Sequence, residues 1–189
     1  MNIDGKAVAF LVSKEGIEQV ELTEPWQAVE RAGGTPRLIS VERGTVQGFQ
    51  HLDPADTFPV DETAAEADPG AYAALVLPGG VANGDLLRWQ RPAHDFVRRF
   101  LQTGRPVAAI CHGGWILTDV DAVRGRRITS WPSMVTDFRN AGAEWVDEEL
   151  VVCTAGPFNL ISSRKPDDLP AFCRELVSQV AHVGQVTKV

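Results

Sequence analysis

Three short apolar runs constrain this 189-residue chain more than any other feature. They are KAVAFLV (Lys6–Val12), ALVL (Ala74–Leu77) and PVAAI (Pro106–Ile110). None alternates apolar with polar residues, and all are short for a helix, so they read as strands buried on both faces. The segments between them carry helical period. TEPWQAVERAGG spaces Leu22, Trp26, Val29 and Ala32 on one face, with Thr23 as N-cap, Pro25 in the first turn and Gly33-Gly34 as the stop. TPRLIS then reads as a strand, and strand–helix–strand is the unit of a parallel sheet.

The rest of the chain repeats this logic. RPAHDFVRRFLQTG predicts a helix packed through Phe96, Val97, Phe100 and Leu101 and closed by Gly104. HGGWILTDV and SMVTDFRNAG open further helices, EWVDEELVVCTAGPFNLISS holds strands around a Gly-Pro turn, and DDLPAFCRELVSQVAHV is a final amphipathic helix. Residues 41–71 are polar and turn-rich, and read as a short hairpin around Thr45–Gly48 followed by loop. The expectation is one domain, residues 1–189: a three-layer α/β/α sandwich with a mainly parallel central sheet.

Composition narrows the function classes. A net charge of −7 offers no dominant basic face, so a general nucleic-acid binder is not expected. The N-terminal apolar run is too short for a signal peptide or a membrane span, which predicts a cytoplasmic protein without membrane contact. Three cysteines, Cys111, Cys153 and Cys173, form no CxxC and no even-numbered disulfide framework. There is no zinc-type ligand spacing, no GxGxxG and no phosphate-cradling loop, so neither a metal nor another cofactor is expected.

Ligands of doubly wound sheets bind beyond the carboxyl ends of the strands. Those ends carry Glu15 and Glu18 after the first strand, Gly79-Gly80 after ALVL, and Cys111-His112 after PVAAI. A strand–Cys–helix junction is a nucleophile elbow in physical terms: a tight turn lifts the thiol off the sheet, and Gly113 and Gly114 allow close approach. A helix N-terminus there lowers a thiol pKa, and the N–H groups of His112 and of Gly79 or Gly80 form an oxyanion hole. The competing reading is that Cys111 is a small buried hydrophobe. His112 raises its own difficulty, because helical neighbours i and i+1 do not face each other and a base needs an orienting acceptor.

The stretches VSKEGIEQVEL, LVLPGGVANGDLLR, PVAAICHGGWIL, RGRRITSWPS, NAGAEWVDEELVV and SSRKPDDLPAF, in that order, resemble the intracellular protease I (PfpI) branch of the DJ/PfpI superfamily. That resemblance implies a flavodoxin-like, class I glutamine amidotransferase-like fold, without the late His-x-Glu of a true amidotransferase. It implies Cys111 as nucleophile, His112 as the adjacent histidine, Glu18 as the acid hydrogen-bonded to the thiol, and Gly79, Gly80 and Gly113 around the anion site. Asp85 is the acid that would orient His112 from a neighbouring subunit. Implied activities are peptidase, glyoxalase-like or deglycase chemistry on a small-molecule or peptide substrate, by a homo-oligomer of at least two chains. A redox-sensing or chaperone-like stress protein without turnover is the alternative. On either reading, Glu18 should titrate high and Cys111 low, as a coupled pair.

Overall fold

The computed structural model of the chain describes residues 1–184. Its first half contains β1 (Ala7–Val12), β2 (Glu15–Glu18), α1 (Gln19–Arg31), β3 (Thr35–Ser40), β4 (Thr45–Gln50), β5 (Asp53–Pro59), β6 (Glu62–Thr63), β7 (Tyr72–Leu77), α2 (Val81–Arg88) and α3 (Arg91–Leu101). The second half adds β8 (Val107–Ile110), α4 (Ile116–Asp119), β9 (Arg127–Ile128), α5 (Val135–Asn140), β10 (Glu144–Trp145), β11 (Val151–Cys153), β12 (Leu160–Ser163) and α6 (Leu169–His182). Seven strands form the central sheet in the order β11-β12-β8-β7-β1-β3-β6. Only β11 runs antiparallel to its neighbour.

The two-residue period of a strand splits the core into two layers. Ala9, Leu11, Leu75, Leu77, Val107 and Ala109 face one side, where α3 supplies Phe96, Val97 and Phe100. Val8, Phe10, Val12, Val76, Ala108 and Ile110 face the other, against Leu22 and Val29 of α1 and Phe172, Leu176 and Val180 of α6. Each of the larger buried side chains among these, the Val, Leu, Ile and Phe residues, contributes about 1.5–3 kcal/mol of transfer free energy before conformational entropy is subtracted. Sheet order reverses around β1 and β7, so the crevice at their carboxyl ends is the expected ligand position.

The structure corrects three local expectations and adds one element. The stretch SKEGIEQ between the first strand and the first helix holds β2, and α1 begins at Gln19, four residues before the expected cap. Thr23 therefore lies inside the helix, where its hydroxyl donates to the Gln19 carbonyl (3.1 Å), and Pro25 is interior. Residues 45–59 form a long hairpin, β4 against β5, whose turn is at His51-Leu52, and β4 also pairs with β2. Polar strand residues concealed it, because both strands gain their order from pairing rather than from burial of a continuous apolar face. VANGDLLR, to which the sequence pattern assigns no element, is helix α2, with Asn83 and Gly84 packed rather than turning. Finally, Cys111 is followed by one 3₁₀ turn (Gly113–Trp115) and only four α-helical residues.

Candidate active site

Cys111 follows β8 directly and adopts φ +57°, a left-handed backbone that non-glycine residues rarely take. Such a conformation costs on the order of 1–3 kcal/mol and persists only where the surroundings over-determine it. Here they do. The Cys111 N–H donates to the Ser163 carbonyl at 3.0 Å, which pins the turn to β12. Gly113 lies so close to β7 that a Cβ would sit 2.1 Å from the Leu77 carbonyl oxygen. Gly80, at φ +95°, closes the facing wall, and a Cβ there would sit 2.0 Å from the Gly16 oxygen.

The acid against the thiol is Glu21, and this corrects the expectation for Glu18. Glu21 is fully buried on α1, on the stripe that also carries Pro25 and Val29, and its carboxyl lies beside the Cys111 thiol and the Gly79 N–H. Both contacts fall short of full hydrogen-bond geometry, so each carboxyl oxygen is buried without a well-formed partner. Burial, and then the charge of Glu18, push the Glu21 pKa up to about 8. Glu18 precedes the helix in extended backbone, and its carboxylate turns to the hairpin, accepting from the His51 N–H at 3.2 Å. A helix beginning at Gln19 puts Glu21 in register with the buried stripe; a start at Thr23 hides that register.

The thiol is also corrected in sign. Burial raises the Cys111 pKa, the charge of Glu21 adds to this, and the N–H groups of Gly80 and His112 pull the other way. The short helical segment after the elbow does not reverse the balance. Thiol and carboxyl form a coupled pair with room for one negative charge, so the first proton lost belongs to both groups.

His112 does meet Cys111. The left-handed turn brings Nδ1 to 3.3 Å from Sγ, which helical neighbours could not do. Nε2 lies 3.5 Å from the Ser133 hydroxyl, and the ring sits near Trp115 and Trp131, with centroid distances of 5.9 and 6.0 Å. Burial lowers the His112 pKa, which favours neutral imidazole, a proton acceptor. Asp85 is exposed on α2 near Arg88, and no hydrogen bond or ion pair joins it to His112 within the chain.

Sequence reasoning missed Asn83, which is fully buried. Its Oδ1 accepts from the Ser13 N–H (2.8 Å), and its Nδ2 donates to the Pro78 (2.9 Å) and Gly79 (3.1 Å) carbonyls. It therefore locks the end of β1 to the Pro78-Gly79-Gly80 turn. Above the elbow opens a cavity of about 470 Å³. Trp131 forms one wall, and Phe49, His51 and Leu52 of the hairpin form another. A larger groove between α1 and α6, about 830 Å³, is more open and lies away from the strand ends. Burial pushes its thiol, Cys173, up to about 11.

A three-layer α/β sandwich with a strained strand–Cys–helix elbow at its carboxyl edge defines a class I glutamine amidotransferase-like protein. The DJ-1/PfpI family model matches residues 6–179, and the chain belongs to that family. It is 41% identical over 170 residues to the deglycase PH1704 of Pyrococcus horikoshii, covering 90% of this chain and 96% of that one. It is 37% identical to protein/nucleic acid deglycase 2 of Escherichia coli, covering 90% and 95%. Among solved structures it superposes with a TM-score of 0.85 and 30% identity on a protein from Anabaena variabilis that has DJ-1/ThiJ/PfpI-like and ferritin-like domains. That match covers 96% of this chain and half of the two-domain protein. Among the described residues no helix is long and apolar enough to cross a membrane.

Proposed function

We propose that this protein is a cysteine-dependent hydrolase of small carbonyl or acyl electrophiles, of deglycase type, with Cys111 as nucleophile. One observation carries the reading: a left-handed, buried cysteine faced by a carboxyl, two backbone N–H groups and an imidazole nitrogen. The names of the two deglycase relatives support the substrate class.

The reactive form is the pair that has lost one proton, with thiolate at Cys111 and acid at Glu21. The sulfur bonds to the carbonyl carbon and the C=O π pair moves to oxygen. The Gly80 and His112 N–H groups hold the resulting oxyanion. With an acyl substrate the oxyanion collapses, and the leaving amine takes the Glu21 proton. Water then cleaves the thioester, giving its proton to Glu21, and thiolate and acid are restored. Neutral His112 relays protons at Sγ.

The active unit in this reading is a homo-oligomer, because Asp85 can orient His112 only from a second copy. Exposed Val81 and Trp89, which flank Asp85, support that surface.

Turnover of methylglyoxal adducts on N-acetylated amino acid amides, and of a peptide substrate, should disappear in Cys111→Ser. Full turnover by the serine variant refutes the proposal. A wild type that turns over neither substrate while peroxide oxidises Cys111 selectively favours the sensor reading instead.

A further inference from the structure

We propose that the acidic wall of the Cys111 cavity, centred on Glu18, selects against anionic electrophiles and admits neutral and amine-bearing ones. This rests on Cys111 being the reacting group, and assigns Glu18 a role in specificity rather than at the thiol.

Glu15, Glu18 and Glu21 all line the cavity, and among the described residues no lysine or arginine does. The cations adjacent in sequence are turned elsewhere: Lys14 lies 3.7 Å from Glu42, and Lys165 lies 2.9 Å from Asp167. Besides His112, which packs at the thiol, the basic group that lines the cavity among the described residues is His51. Its ring is 90% exposed, and its Nδ1 is 3.8 Å from Glu18. Any charge it acquires is therefore already faced by a carboxylate.

Glu18 is also held in place. Its backbone N–H donates to the Gly79 carbonyl at 3.2 Å, which ties it to the turn that faces the thiol. Its carboxylate accepts from the His51 N–H and is only 15% exposed, so its charge is poorly screened.

The cavity holds about 470 Å³, so a small substrate cannot keep a charged group beyond a Debye length of about 8–10 Å from this wall. An α-oxo acid or a phosphorylated aldehyde brings a second negative charge with no cation to meet it. A neutral dicarbonyl meets no such penalty, and an adduct on an amine or guanidine gains attraction. Like-charge juxtaposition of this kind discriminates against the wrong partner more strongly than it adds affinity for the right one.

The test uses iodoacetamide and iodoacetate, which differ in an amide against a carboxylate. In both reactions the Cys111 sulfur bonds to the methylene carbon and iodide leaves. Alkylation rates at Cys111 are read by site-resolved mass spectrometry, and the ratio is normalised to the same ratio for N-acetylcysteine. The ratio cancels any change in the thiolate fraction. We expect iodoacetamide to be favoured roughly tenfold beyond the free-thiol ratio. Glu18→Gln, which keeps side-chain volume, should reduce that excess about threefold, and high salt should reduce it as well. The exposed-position variant Glu15→Gln should reduce it less.

A normalised ratio near unity in the wild type overturns the proposal. So does an excess that Glu18→Gln leaves unchanged. Alkylation needs no turnover, so the two readings fail separately. A discriminating thiol in a protein that turns nothing over refutes only the hydrolase. An active enzyme with an indiscriminate thiol refutes only the acidic filter.

Discussion

Replacing Glu21 by glutamine removes the buried acid while keeping its volume, and its effect follows from linkage. An acid whose pKa rises from 4.5 to about 8 on folding binds its proton more tightly in the native state. Between those values the native protein holds more protons than the unfolded chain, so stability falls as pH rises. The slope is about 1.4 kcal/mol per pH unit. The contribution is complete below the unfolded pKa and is lost by the time pH passes about 8. From about pH 5 to 7.5 the wild type should lose about 3 kcal/mol relative to Glu21→Gln. Urea unfolding of both proteins at several pH values measures this difference. The same ionisation exposes the reactive thiolate microstate, so wild-type turnover should rise through about pH 8 as stability falls, and the variant should lack that limb. A stability difference that stays constant within about 0.5 kcal/mol across that range refutes a protonated Glu21 and the coupled pair built on it.

Three other outcomes are expected. Asn83→Ala leaves the Ser13 N–H and the Pro78 carbonyl without this partner in the interior and removes one of the two bonds to the Gly79 carbonyl, costing about 2–4 kcal/mol in denaturant unfolding and lowering turnover together with stability. Gly113→Ala drives a methyl group into the Leu77 carbonyl, and should cost more than about 3 kcal/mol or abolish folding, as read by thermal unfolding. Asp85→Asn, at an exposed position, should leave unfolding within about 0.5 kcal/mol of wild type. If Asp85 orients His112 across subunits, turnover falls only under conditions where the protein is oligomeric, as sedimentation would report.

The parts legible in the sequence were those written in local pattern. Lys6–Val12, Ala74–Leu77 and Pro106–Ile110 announced buried strands because a parallel strand is apolar on both faces, and the structure extends or trims them by a residue or two. Cys111, Gly79 and Gly80 were found because the end of a strand is itself a sequence signal. Arg126 shows where such signals stop. Within the basic run RGRRI it reads as a solvated surface residue, yet it is buried, donating to the Phe158 carbonyl at 3.0 Å with its guanidinium 3.9 Å from the ring centroid.

The sequence by itself determined the layered α/β architecture, the order of the strand ends and the residue at the elbow. Tertiary structure alone decided which glutamate meets the thiol. Glu18 and Glu21 are chemically alike and three residues apart, and the choice depended on where α1 begins, which pairing of β2 with β4 sets. It also decided the sign of the thiol shift, because desolvation depends on everything packed around Cys111 and no local stretch encodes it. Likewise, Cys111 and His112 become partners only because contacts from β7 and β12 force the backbone left-handed between them.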